Sequence, residues 1–186
     1  AQMVQPQNIK LTVRDYMSMP EDDDRRFELI DGELILAPSP VPQHQDIVLN
    51  LARMLADFAE SQDLGKVMVS PMDVVLSDHD VFQPDILFIS RNRLHIIGDR
   101  NIEGPPDLVI EILSPSTEGR DRGVKLQQYL RYGVREYWII DPQEKNVEVL
   151  RAGDTEFETV RVYSEGTTVT SPVLEGIQVE IDRIFA

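Results

Sequence analysis

DLVIEILSPSTEGRDRGVKLQQY, residues 107–129, sets a glutamate, Glu111, in the middle of a strand that is apolar on both faces. Leu108, Ile110 and Ile112 point one way and Val109, Glu111 and Leu113 the other, because strand side chains alternate. Such a strand belongs in the centre of a sheet with helices on one or both sides. A carboxylate there is costly unless a metal, a lysine or an arginine sits against it. The helix that follows carries Lys125 and Tyr129 one turn apart, on a common face.

A second acid, Asp85, begins another apolar strand, ILFI, directly after Pro84. Two strand-borne acids and a helical lysine are the parts of a metal-dependent hydrolytic site. Mg2+ (or Mn2+) takes hard oxygen ligands, and Asp85, Glu111 and the backbone carbonyl of Ile112 would supply them. Lys125 would orient water or offset developing charge. Glu28 and Glu33 on an early hairpin, His44 at the start of the first long helix, and Tyr129 are candidate supporting residues. Asp107 shares the face of Glu111 and reads as an accessory. Plain alternatives stand beside these roles. Asp85 caps a loop, Glu111 pairs with an arginine, Lys125 pairs with Asp121 at i−4, or Tyr129 only packs the core.

The rest of the chain predicts a short helix over 12–19 and a hairpin over 27–37 turning at Asp31-Gly32. Ile47, Val48, Leu51, Leu55 and Phe58 give a helical period over 44–59. Strand material at 66–70 and 73–76 precedes a polar turn, SDHD, and the strand at 85–89. A polar segment spans 90–106, and one helix is expected over 117–132, ended by Gly133. Strands follow at 136–140 and 146–150, with further strands and turns to 184. This is an α/β (α+β) arrangement around a mixed central sheet, with an N-terminal hairpin and C-terminal β-strands, read as a single domain over 1–186.

Eighteen basic against 33 acidic residues leave a net charge of −15. Nucleic-acid binding draws its affinity from Lys and Arg on phosphates, so positive charge would have to be concentrated locally. Arg91, Arg93 and Arg100 lie in one loop, and Arg120, Arg122, Lys125, Arg131 and Arg135 surround the helix. The acidic run at 21–24 reads as a solvated turn. No apolar run approaches the ~20 residues of a membrane span, and the first ten residues lack a signal-peptide layout. The expectation is a cytoplasmic protein with no membrane partner. With no cysteine, disulfides and thiolate zinc sites are excluded.

FELIDGELILAP (27–38), QPDILFIS (83–90), GPPDLVIEILSPST (104–117), the Asp121/Lys125/Tyr129 helix and GVREYWIIDP (133–142) resemble the Uma-two family of restriction-endonuclease-like proteins. That family belongs to the PD-(D/E)xK nuclease superfamily, and the resemblance covers roughly residues 10–150. It implies a restriction-endonuclease-like αβββαβ core, with Asp85 as the superfamily aspartate and Glu111 as the acid of the motif. The superfamily lysine stands two residues after that acid, where this chain has Leu113. Lys125 is the replacement, spaced from Tyr129 as in the Q-x-x-x-Y helix of RecB-like nucleases. The implied activity is Mg2+-dependent phosphodiester hydrolysis on nucleic acid. The alternative is a nuclease-like module kept for binding or assembly as a homodimer, in which Glu111→Ala would stabilise the fold.

Overall fold

Thr12 caps α1 (Val13–Met17) through a reciprocal pair of bonds with Asp15. The chain then forms the hairpin β1 (Arg26–Ile30) and β2 (Glu33–Ala37). Asp31 and Gly32 make its turn at φ 48° and 80°, the left-handed pair that a two-residue hairpin requires. Proline's fixed φ suits a first helical turn, so α2 (Pro42–Ser61) starts earlier than the apolar period suggests. The computed structural model describes residues 9–21 and 25–186. Within the expected acidic turn, Glu21 is exposed and Asp22, Asp23 and Asp24 lie outside the described residues.

After α2 come β3 (Gly65–Val69), β4 (Val74–Ser77), β5 (Asp80–Phe82) and β6 (Ile86–Ser90). A 3-10 turn over Arg91–Ile96 and β7 (Ile102–Glu103) lead into β8 (Leu108–Ile112). Two short helices, α3 (Glu118–Asp121) and α4 (Val124–Tyr132), precede β9 (Glu136–Asp141), β10 (Asn146–Ala152) and β11 (Phe157–Tyr163). The end is β12 (Thr168–Val169), β13 (Val179–Glu180) and α5 (Ile181–Ile184).

The main sheet has the order β11-β10-β9-β8-β6-β3. It is mixed, with β8 parallel to β9 and antiparallel to β6. The hairpin belongs to a second sheet, β2-β1-β5-β4-β7. Two of its strands had been read otherwise: β5 as part of a polar turn and β7 as part of a polar segment. Asp80 is the reason for the first. Its carboxylate is buried, accepting from the Asp31 amide at 2.9 Å, Gln128 Nε2 at 3.0 Å and Ser77 Oγ at 2.6 Å. A buried aspartate with donors on three sides looks like a turn residue in sequence.

The alternation along β8 is as the pattern requires. Leu108, Ile110 and Ile112 join the core under α2, with Ile47, Leu51, Leu55 and Trp138. Val109 and Leu113 join a second core with Tyr129, Tyr137 and Ile139. Leu51 and Leu55 have no exposure, and each contributes about 1.5–3 kcal/mol by leaving water.

The helix expected over 117–132 is two helices. A Cβ on Gly123 would lie 2.6 Å from the Gly119 carbonyl oxygen, so only glycine permits the close turn that re-aims α4. Gly133, at φ 102°, ends α4 as expected. Gly123→Ala should therefore cost about 1–3 kcal/mol in urea-denaturation midpoint analysis, the scale of forced overpacking. An unchanged midpoint would remove the steric account of the break.

Candidate active site

Glu111 faces away from α2 and towards α4, on the side of β8 that also carries Val109 and Leu113. In the antiparallel register Ile86 of β6 lies opposite Ile110, so the next residues, Asp85 and Glu111, stand level on neighbouring strands. Asp85 is fixed at one oxygen by the Ile112 amide, which donates to its Oδ2 at 2.8 Å. Its Oδ1 lies 3.1 Å from His44 Nε2, brought in by the first turn of α2. Among the described residues, His44 Nδ1 is buried without a partner. Ile112 thus holds Asp85 by its amide, a contact the sequence did not suggest.

Lys125 is the hub. Its ammonium donates to Glu111 Oε1 at 2.9 Å and Glu28 Oε2 at 3.0 Å, with Asp121 Oδ1 at 3.9 Å. The i−4 pairing with Asp121 is therefore the longest of the three. Tyr129 both packs and bonds: it lies edge-on to Phe82 and donates its hydroxyl to Glu111 Oε1 at 2.8 Å. Glu28 Oε2 also accepts from the Gln83 amide at 2.7 Å. The partner of Glu111 is a lysine, not an arginine. Removing Glu111 would strand the buried Tyr129 hydroxyl, so the stabilisation foreseen for Glu111→Ala under the assembly reading has no basis in these contacts.

Burial dominates the electrostatics. It opposes charge on Lys125, but Glu111, Glu28 and Asp121 outweigh it and hold the ammonium well above its ordinary value. Burial pushes Glu111 well above the usual carboxylate range; Lys125 offsets this only in part, and Asp121, Asp85 and Glu28 add to it. Asp121 is raised from 3.8 to about 6, chiefly by burial, against Lys125 and a Thr117 hydrogen bond. The cluster carries more negative charge than its lysine neutralises.

These residues lie in a cleft of about 740 Å3, walled by Ala37–Val41 and by the loop Ser114–Thr117. Glu28, Asp85, Glu111, Glu118, Asp121 and Asp141 line it, with Lys125, Arg26 and Arg120 as cations. Arg91, Arg93 and Arg122 do not ring it. They pair elsewhere, with Asp63, Asp107 and Glu148. Glu33 is absent too: it opens β2 opposite Ile30 at the turn end of the hairpin and is exposed. Asp107 is no accessory to Glu111. It anchors Arg135 at 2.7 Å and Arg93 at 3.1 Å, at the other end of β8. Although burial works the other way, the Ser90 amide and those arginines hold its carboxyl below the ordinary value.

Sequence reasoning passed over three cleft residues. Asp121 was named as a partner for Lys125 and in the helix of the family resemblance, but not as a cleft residue; it is buried. Gln83 stood in QPDILFIS, but nothing marked its amide as a donor to Glu28. Arg26, one residue before FELIDG, shares the face of Glu28 by strand alternation.

A family model, Uma2, described as "Putative restriction endonuclease", matches residues 13–182. An uncharacterized protein of Synechocystis sp. is 25% identical over 163 residues, which are 86% of this chain and 91% of that protein. The crystal structure of a "putative nuclease" from Anabaena variabilis aligns at 25% identity with a TM-score of 0.78, covering 94% of this chain and 97% of that one.

A carboxyl raised in the folded state favours folding while protonated. The contribution of Asp121 is complete below its unfolded value of 3.8 and is lost as pH rises through about 6. Asp121→Asn should therefore have a higher Tm than the parent at pH 8, a gain that shrinks to nothing by pH 4. Calorimetric scans over that range check the sign; a variant less stable than the parent at pH 8 would reverse it.

Proposed function

This chain belongs to the Uma2 family, whose model carries the description "Putative restriction endonuclease", and from that premise we propose that it hydrolyses phosphodiester bonds of nucleic acid with Mg2+ or Mn2+. The observation that supports this most is the level placement of Asp85 and Glu111 on neighbouring strands, with the Lys125 ammonium 2.9 Å from Glu111. Among the described residues no three His, Cys, Asp or Glu side chains form a ready metal cage. Mg2+ does not need one: it commonly takes one or two carboxylates and keeps several waters. Two acids whose surroundings hold excess negative charge fit a hard divalent cation. Asp85, Glu111 and the Ile112 carbonyl are the proposed ligands.

When bound, such an ion polarises a phosphoryl oxygen and lowers the pKa of water. The chain supplies the rest. Lys125 stays protonated, so its role is to offset charge developing on the phosphoryl group, not to act as a base. Tyr129 and Glu28 keep that ammonium and the Glu111 carboxylate in place. His44 orients Asp85 against the Ile112 amide. The proposal takes 1–186 as one domain acting in the cytoplasm as a homodimer. No helix among the described residues is long and apolar enough to cross a membrane.

A second reading, a nuclease-like module that binds without cleaving, is favoured by the full engagement of Lys125 with the protein's own acids. Calorimetric titration of Mn2+ into parent and Glu111→Gln, beside turnover of single- and double-stranded DNA and RNA at low salt, separates the two. Catalysis predicts metal binding in the parent weakened at least tenfold by Glu111→Gln, and turnover reduced by a hundredfold or more, on the order of removing one electrostatic contact to the transition state. Equal metal binding by both proteins, or by neither, would leave only the binding module.

A further inference from the structure

Among the described residues three cations line the cleft, and one of them is spent. Lys125 has a side-chain exposure of 4% and its donors face Glu28, Glu111 and Asp121. The other two, Arg26 and Arg120, are half-buried in the same wall. Among the described residues neither guanidinium has an ion-pair or hydrogen-bond partner. That sets them apart from Arg91, Arg93, Arg122 and Arg135, each of which holds a carboxylate. A half-buried guanidinium left unpaired inside an acidic cleft is a standing offer to an anion, and its planar fork suits phosphate. Each also stands beside a cleft acid in the chain: Arg26 two residues before Glu28 on the same face of β1, Arg120 next to Asp121.

The depth of the acids narrows the substrate. Glu111 has a side-chain exposure of 5% and Asp85 of 15%. They lie beneath walls of small, apolar and proline residues, among them Ala37, Pro38, Val41 and Pro115. A duplex presents its phosphates on the outside of a stiff rod, and a net charge of −15 repels that rod at long range. A single strand can bend a phosphate down to the floor.

We propose that Arg26 and Arg120 are the substrate-positioning residues of this site, gripping the phosphates on either side of the scissile bond of a single-stranded polynucleotide. This rests on the nuclease reading above. The two are separated by measuring binding apart from turnover.

Binding of a fluorescent single-stranded 12-mer and of the matching duplex is followed by anisotropy with Ca2+ in place of Mg2+, over a NaCl series. The proteins are the parent, Arg26→Gln, Arg120→Gln and the double variant. Each substitution should flatten the slope of log K against log[salt] by about 0.7, one single-strand phosphate contact, and the double variant by about twice that. Where the parent turns over the single strand with Mg2+, KM should rise several-fold with kcat within about two-fold, the mark of lost positioning. Tm should not move, since neither arginine pairs among the described residues. Equal slopes for parent and double variant, or a duplex bound as well as the single strand, overturns the grip and leaves the nuclease reading intact. An arginine-dependent slope without turnover by the parent keeps the grip and removes the nuclease.

Discussion

One ammonium group among three carboxylates holds the working part of this protein together. Lys125 meets Glu28 from the hairpin sheet, Glu111 from the main sheet and Asp121 from the preceding helix. None of these groups is at ease alone in an apolar interior. Removing Lys125 would leave the three acids as uncompensated buried charge, so the two sheets and the helix pair are bound to a common geometry. Tyr129 adds a hydroxyl at Glu111 and a T-shaped ring contact with Phe82, which ties the cluster to the second core.

That constraint also sets the chemistry. Three acids around one lysine, with Asp85 close by, leave a surplus of negative charge at the floor of a cleft. Among the described residues no arginine pairs with these acids, although Arg26 and Arg120 line the same cleft. Arg122 and Arg135 are occupied at the surface and Arg93 at the opposite end of β8. A proton relieves part of it, as the raised Asp121 shows. A divalent cation would relieve more. The stress of burial that makes the cluster expensive is the same property that makes it receptive.

Much of this was legible without coordinates. The two-residue period of 108–113 put Glu111 and Leu113 on one side and the α2-facing residues on the other, because strand geometry leaves no third option. Lys125 and Tyr129 lay on one helical face for the same kind of reason. The choice between Glu28 and Glu33 was not legible. Both occupy one face of the hairpin, and only the docking of α4 decides which end of it meets a lysine. The helix break between Asp121 and Lys125 was not legible, because the close approach of Gly123 to Gly119 is a fact of the folded backbone. The clustering of basic residues did not show which of them line the cleft, since sequence proximity to a helix says nothing of which carboxylate an arginine will reach.

Local periodicity and residue chemistry determined the elements, the buried acid on β8 and the need for a cation beside it. Those follow from alternation, helical spacing and the cost of desolvating charge, all of which act over a few residues. Which cation answered, which hairpin acid joined it, and which arginines line the cleft were decided only when two sheets packed across α4. Contacts between residues 28, 111 and 125 depend on the relative placement of whole elements, and no short-range pattern encodes that.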